Sequence, residues 1–77
     1  MKSRNILNRI TINPKQCGGR PCVRRMRIRV TDVLELLAAG LTSESIMHEL
    51  PDLEREDIRA CIIYASSRIN HPVVHAT

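Results

Sequence analysis

Tyr64 is the only aromatic residue of this 77-residue chain, which has no Phe and no Trp. That scarcity excludes a base-stacking platform of the kind used on single-stranded nucleic acid. It also leaves Leu, Ile, Val, Met and Ala to build whatever core exists. No run approaches the ~20 apolar residues of a membrane span. The opening Met1-Lys2-Ser3-Arg4-Asn5-Ile6 has no apolar stretch resembling a signal peptide, so a cytoplasmic location is expected. Cysteine is sparse and odd in number, three residues without a secretory signal, which predicts reduced thiols rather than a disulfide framework.

Acidic residues are missing from the whole of residues 1–30, where nine of the twelve Lys and Arg fall. Residues 31–77 hold the other three bases and all eight acids, so a segment of +9 precedes one of −5 behind the modest net charge of +4. A basic arm on an acidic body points to a polyanionic partner, to self-association, or to both. At this length there is room for one small domain, which is only marginally stable alone and would gain from a partner subunit.

The first thirty residues carry no helical period. Ile10-Thr11-Ile12 and Cys22-Val23 are β-prone pieces, separated by the turn signals Asn13-Pro14 and Gly18-Gly19. They predict a short hairpin or ribbon that must lean on the helices or pair with a second copy. From Val30 the pattern becomes helical. Thr31 is placed to cap a helix over about Asp32–Ala39, with Gly40 at its left-handed end and Leu41 folding back on Leu36. Thr42 caps a second helix to about Leu50, stopped by Pro51. A third begins near Arg55, with Ile58, Cys61, Ile62, Ala65 and Ile69 as one apolar stripe until Pro72 bars continuation. The division is a basic N-terminal arm with a hairpin over 1–30, a three-helix body over 31–70 and a loose tail over 71–77, one domain in all. The spacing matches a helix-turn-helix arrangement, mainly α in class.

The densest local signal is Arg20-Pro21-Cys22-Val23-Arg24-Arg25-Met26-Arg27-Ile28-Arg29-Val30. If its end is extended, alternation puts Arg25, Arg27 and Arg29 on one face and Met26, Ile28 and Val30 on the other. Arg20, Arg24, Arg25, Arg27 and Arg29 are therefore the candidate residues for binding phosphates or an acidic protein surface, since a guanidinium clamps either bidentately. The competing explanation is a solvated edge paired with the body's carboxylates, but eight acids cannot occupy twelve bases.

Other sites carry less. Cys17 and Cys22 with His71 and His75 have the ligand types of a zinc site, yet the pairs are far apart and the histidines straddle Pro72, so no metal is expected. Cys61 lies on the apolar stripe and is read as a core residue. The third helix opens on Glu54, Arg55, Glu56 and Asp57, and its acids suit a helix N-terminus better than a DNA groove. His48 suits a helix C-terminus for the converse reason. No Walker loop, His-Glu-x-x-His motif or nucleophile elbow is present, so an enzyme is not expected.

Taken together, Ile12-Asn13-Pro14, Gly18 to Arg24, Met26 to Val30, Asp32 to Leu41 and Leu50-Pro51-Asp52-Leu53 resemble the domain-of-unknown-function 433 family of small antitoxin-like proteins. The resemblance covers roughly residues 10–66. It implies a homeodomain-like helix-turn-helix fold and a role as the antitoxin of a type II toxin-antitoxin pair, neutralising a PIN-like ribonuclease toxin. A homodimer and operator DNA as a further ligand are the associated partners. The alternatives are a stand-alone DNA-binding regulator and a structural, self-associating subunit. One departure stands out: the family pattern has Gly where this chain has Arg25. If the backbone needs φ > 0 there, Arg25 is strained by about 1 kcal/mol.

Overall fold

Two short strands and three helices of seven residues or more, among the described residues, follow the punctuation of the sequence. The computed structural model describes residues 6–69. Strands β1 (Ile10–Ile12) and β2 (Pro21–Val23) pair antiparallel, with Ile10 opposite Val23, Thr11 opposite Cys22 and Ile12 opposite Pro21. The helices are α1 (Val30–Ala38), α2 (Ser43–Glu49) and α3 (Arg55–Arg68). The fold is thus mainly helical with an N-terminal hairpin, as expected. No helix among the described residues is long and apolar enough to cross a membrane.

The connection between the strands is wound left-handed. Asn13 Oδ1 accepts the Lys15 N–H at 2.8 Å, and a single 3-10 turn follows at Cys17–Gly19. Cys17, Gly18 and Gly19 all have positive φ, 54°, 63° and 80°. Two glycines make this path accessible, and Cys17 alone carries the Cβ penalty. Cys17 and Cys22 are joined in a disulfide, which corrects the expectation of reduced thiols. The odd count misled because Cys61 is a fully buried core residue, leaving an even pair across one turn.

After β2 the chain reverses at Arg24 and Arg25, with φ of 45° and 66°. The Met26 N–H donates to the Val23 carbonyl at 2.7 Å and closes the turn. Left-handed geometry at both central residues is that of the primed hairpin turns, whose twist matches the flanking strands. The Val23 N–H then donates to the Ile28 carbonyl at 2.9 Å, and Cys22 bridges to Arg29, so β2 is flanked on both sides. Beyond the turn the predicted alternation holds: Met26 and Ile28 pack on the core and Val30 is buried, while Arg27 is exposed.

α1 starts two residues before its expected position. Its N-cap is Arg29, whose N–H is accepted by Asp32 Oδ2 at 3.0 Å, and Thr31 lies inside the first turn. Asp32 wins because an acid at N3 can satisfy an orphan N–H that Thr31 could not reach. The helix ends as expected: Gly40 (φ 98°) donates to Leu37 O at 2.9 Å and Leu41 to Leu36 O at 3.2 Å, the paired bonds of a Schellman ending. Thr42 Oγ1 caps α2 by accepting the Ser45 N–H at 3.1 Å.

Val23, Val30, Val33, Ile46, Leu53, Ile58 and Cys61 form the buried core, drawn from β2, all three helices and the segment before α3. The hairpin therefore leans on the helices. α3 is rotated relative to the stripe expected from its sequence. Asp57, Ile58, Ala60 and Cys61 are buried, whereas Ile62 and Ile69 are exposed. Asp57, a residue no apolar period includes, is on the buried side.

Candidate binding cleft

Asp57 sits in the first turn of α3 with no exposed surface, and its carboxylate holds the two halves of the molecule together. Arg24, on the left-handed turn, grips it with two bonds: Nε to Oδ1 at 2.9 Å and Nη2 to Oδ2 at 2.7 Å. Arg9, just before β1, donates from Nη1 to Oδ1 at 2.9 Å and to Glu54 Oε1 at 2.8 Å. The Glu54 N–H at the helix N-cap donates to Oδ2 at 2.8 Å. A second Arg24 contact, Nη2 to the Asp52 carbonyl at 3.0 Å, ties the turn to the loop before α3.

Burial alone would push the Asp57 carboxyl up. The bonds from Arg24, the Glu54 N–H and Arg9 outweigh it and hold the group below its ordinary 3.8. Arg24 is correspondingly raised by its bond to Asp57, and Arg9 by its bonds to Glu54 and then Asp57. Close by, burial and the Asp57 charge push the Cys61 thiol up to about 12, which makes it an inert core group.

The five sequence-derived candidates are therefore divided by the fold. Arg24 is engaged with Asp57. Arg25 is exposed, its N–H donating to Thr11 Oγ1 at 3.1 Å and its carbonyl accepting from the Gln16 amide. Arg20, Arg27 and Arg29 come together, with Lys15, Gln16, Cys17 and Gly18, around one open cleft of about 600 Å³. Lys15 was not singled out in the sequence; only the turn brings it opposite Arg27 and Arg29. No carboxylate lines this cleft among the described residues. Asp32, at 3.5 Å from Arg29 Nε, is the nearest counter-charge paired with any of its bases.

Two further ion pairs lie on the surface of the helical body. Arg55 pairs with Glu44 at 2.8 Å and Arg59 with Glu56 at 3.5 Å, both on the exposed side of α3. A separate apolar hollow of about 240 Å³ lies where Pro21, Val30 and Leu34 meet Tyr64, Ala65 and Ile69. Of the four potential zinc ligands, Cys17 and Cys22 are consumed by their disulfide, and His71 and His75 lie outside the described residues.

The described residues thus form a small, mainly helical domain with one cationic cleft. The chain belongs to the family described as "Protein of unknown function (DUF433)", whose profile it matches over residues 10–65. It is similar to "Uncharacterized protein y4eO" of Sinorhizobium fredii (strain NBRC 101917 / NGR234), 40% identical over 58 residues. That match covers 75% of this chain and spans 26% of the relative's length. No solved structure matches.

Proposed function

We propose that this protein is a non-catalytic antitoxin that binds and silences a PIN-like ribonuclease toxin in the cytoplasm. The observation that supports this reading is the gathering of Lys15, Arg20, Arg27 and Arg29 around one cleft that, among the described residues, is lined by no carboxylate and where Arg29 alone has an ion pair, to Asp32 at 3.5 Å, while Arg9 and Arg24 are engaged by Glu54 and Asp57. A nuclease of that kind concentrates acidic metal ligands in its active site. Guanidinium groups from the cleft would occupy the place of the metal or of the RNA phosphates, forming charge-assisted bonds with the carboxylates. Operator DNA is a less favoured ligand, because the first turn of α3 buries Asp57 and exposes Glu54 and Glu56.

The test is co-expression of the tagged chain with each adjacent reading frame, purification at high salt, and an RNase assay on the released partner. A stable complex whose partner cleaves RNA only when freed is expected. The triple variant Arg20→Glu/Arg27→Glu/Arg29→Glu, folded by circular dichroism, should no longer inhibit. Recovery of the chain alone would overturn the antitoxin reading. Self-association belongs to the same proposal: exposed Ile69 lines the apolar hollow, and Ile62 is exposed on the same helix. Sedimentation velocity of wild type and Ile69→Glu should then show a dimer and a monomer.

A further inference from the structure

We infer that the Cys17–Cys22 pair is a thiol-disulfide switch that sets the shape of the basic cleft, so that a dithiol reductant weakens binding there. The inference rests on the cleft being the binding surface, and it adds how that surface is regulated. Its basis is where the bond lies. Cys17 is part of the cleft lining. Lys15 is two residues before Cys17, Arg20 two before Cys22, and Arg29 is bridged directly to Cys22. One covalent link therefore fixes the turn carrying Lys15 and Gln16 against the strand that positions Arg20 and Arg29.

The turn also has a reason to move once the link is cut. Cys17 is held at φ 54°, a left-handed conformation that only its glycine neighbours adopt freely. The backbone bonds of the turn itself are few, Gln16 N–H to Asn13 O at 2.9 Å, Gly19 N–H to Gln16 O at 2.9 Å and Arg20 N–H to Cys17 O at 3.1 Å, and the Gln16 amide adds one bond to the Arg25 carbonyl. With the tether broken, Cys17 relaxes to negative φ, and Lys15 and Arg20, on either side of it, lose their fixed placement opposite Arg27 and Arg29, with the Gln16 amide's bond to the Arg25 carbonyl left as a side-chain tie to the turn. Binding then bears the cost of ordering these side chains again.

The chemistry is ordinary exchange. A thiolate of the dithiol attacks Cys17 Sγ, the partly exposed sulfur, because Cys22 is fully buried. The Cys17–Cys22 bond breaks and Cys22 leaves as thiolate. The reductant's second thiolate closes its own disulfide and expels Cys17. One dithiol is oxidised, two cysteines are reduced, and the two protons pass to the cysteines. Cys61 takes no part, since it is buried in the core.

The experiment uses the full chain in two states, equilibrated with oxidised glutathione or with dithiothreitol, and thiols counted by alkylation in denaturant, so that buried Cys61 reacts, and mass spectrometry. A fluorescent poly-glutamate peptide reports cleft binding by anisotropy. The oxidised form should show one alkylated thiol and bind about tenfold more tightly than the reduced form, a ratio equal to ~1.4 kcal/mol. Cys17→Ser should match the reduced form in both buffers, and Cys61→Ser should respond like wild type. Hydrogen exchange should be faster over residues 14–20 after reduction. Equal affinity in both states overturns the switch and leaves the cleft as a binding surface. Absence of peptide binding in either state overturns both. Three alkylated thiols in oxidised glutathione would overturn the switch alone.

Discussion

Replacing Asp57 by Asn tests the central claim that a buried carboxylate joins the hairpin to α3. The substitution keeps size and shape but removes the charge and puts an amide donor against Arg24 Nη2 or the Glu54 N–H. Breaking a buried ion pair by removing one partner costs about 3–5 kcal/mol. Here the orphaned arginines keep 36% and 28% side-chain exposure and can rehydrate, so the lower end applies, about 3 kcal/mol. For a domain of this size that corresponds to a fall in Tm of roughly 12–24 °C. Urea denaturation followed by far-UV circular dichroism measures the loss, and a cycle with Arg24→Ala separates the pair from its surroundings. Coupling should be at least ~1.5 kcal/mol. The pH dependence gives a second reading. A carboxyl whose folded pKa is depressed contributes its stability fully above the ordinary value near 3.8 and loses it as pH falls through the folded value. The wild-type midpoint should therefore decline from about pH 4 downward, and the variant's should decline less. Glu44 is also lowered, by its hydrogen bond to Arg55, but lies exposed and contributes little to the slope. A Asp57→Asn loss under ~1 kcal/mol, together with additive single variants, would refute the argument.

Arg25→Gly should stabilise the fold by about 0.5–1 kcal/mol, the left-handed strain relieved less the entropy that glycine loses, whereas Arg25→Ala should bring no gain. Denaturant midpoints of the two variants decide it. Gly40→Ala places a Cβ at φ 98° where α1 ends, and about 1 kcal/mol of stability should be lost although open space surrounds the site. Thr42→Ala removes the acceptor for the Ser45 N–H and should cost about 1 kcal/mol, read by the same melts, while Thr42→Ser should leave the stability within a few tenths.

Local chemistry made most of the fold legible. Gly40, Thr42 and Pro51 mark helix ends because each acts on its own few backbone groups, and those ends fall where expected. The hairpin strands follow from β-branched residues bounded by turn signals. The demand for positive φ at Arg25 was legible only through the family's glycine there, and the backbone meets it at 66°. What could not be read is the pairing of Arg9 and Arg24 with Asp57, separated by 48 and 33 positions, because no local pattern encodes a long-range bond. The acids opening α3 suggested a helix N-terminus, and Asp57 does accept the Glu54 N–H, but its complete burial left no trace in the period. For that reason the stripe through Ile62 and Ile69 was assigned inward when the helix turns them out. Lys15 entered the cleft for a similar reason, since a left-handed turn carries it there.

The arginine-to-aspartate clamp also governs the order in which the molecule can become whole. A ribosome makes the nine bases of residues 1–30 before the acids of residues 31–77 that answer them. At about 5–20 residues per second, roughly 2–7 s separate the synthesis of Arg24 from that of Asp57, 33 positions later. During that interval the left-handed turn has strain without its anchor, and a nascent hairpin would form and dissolve repeatedly. Completion belongs to the last helix, whose first turn delivers the missing carboxylate. A fragment lacking that helix should therefore behave as an unfolded cationic peptide.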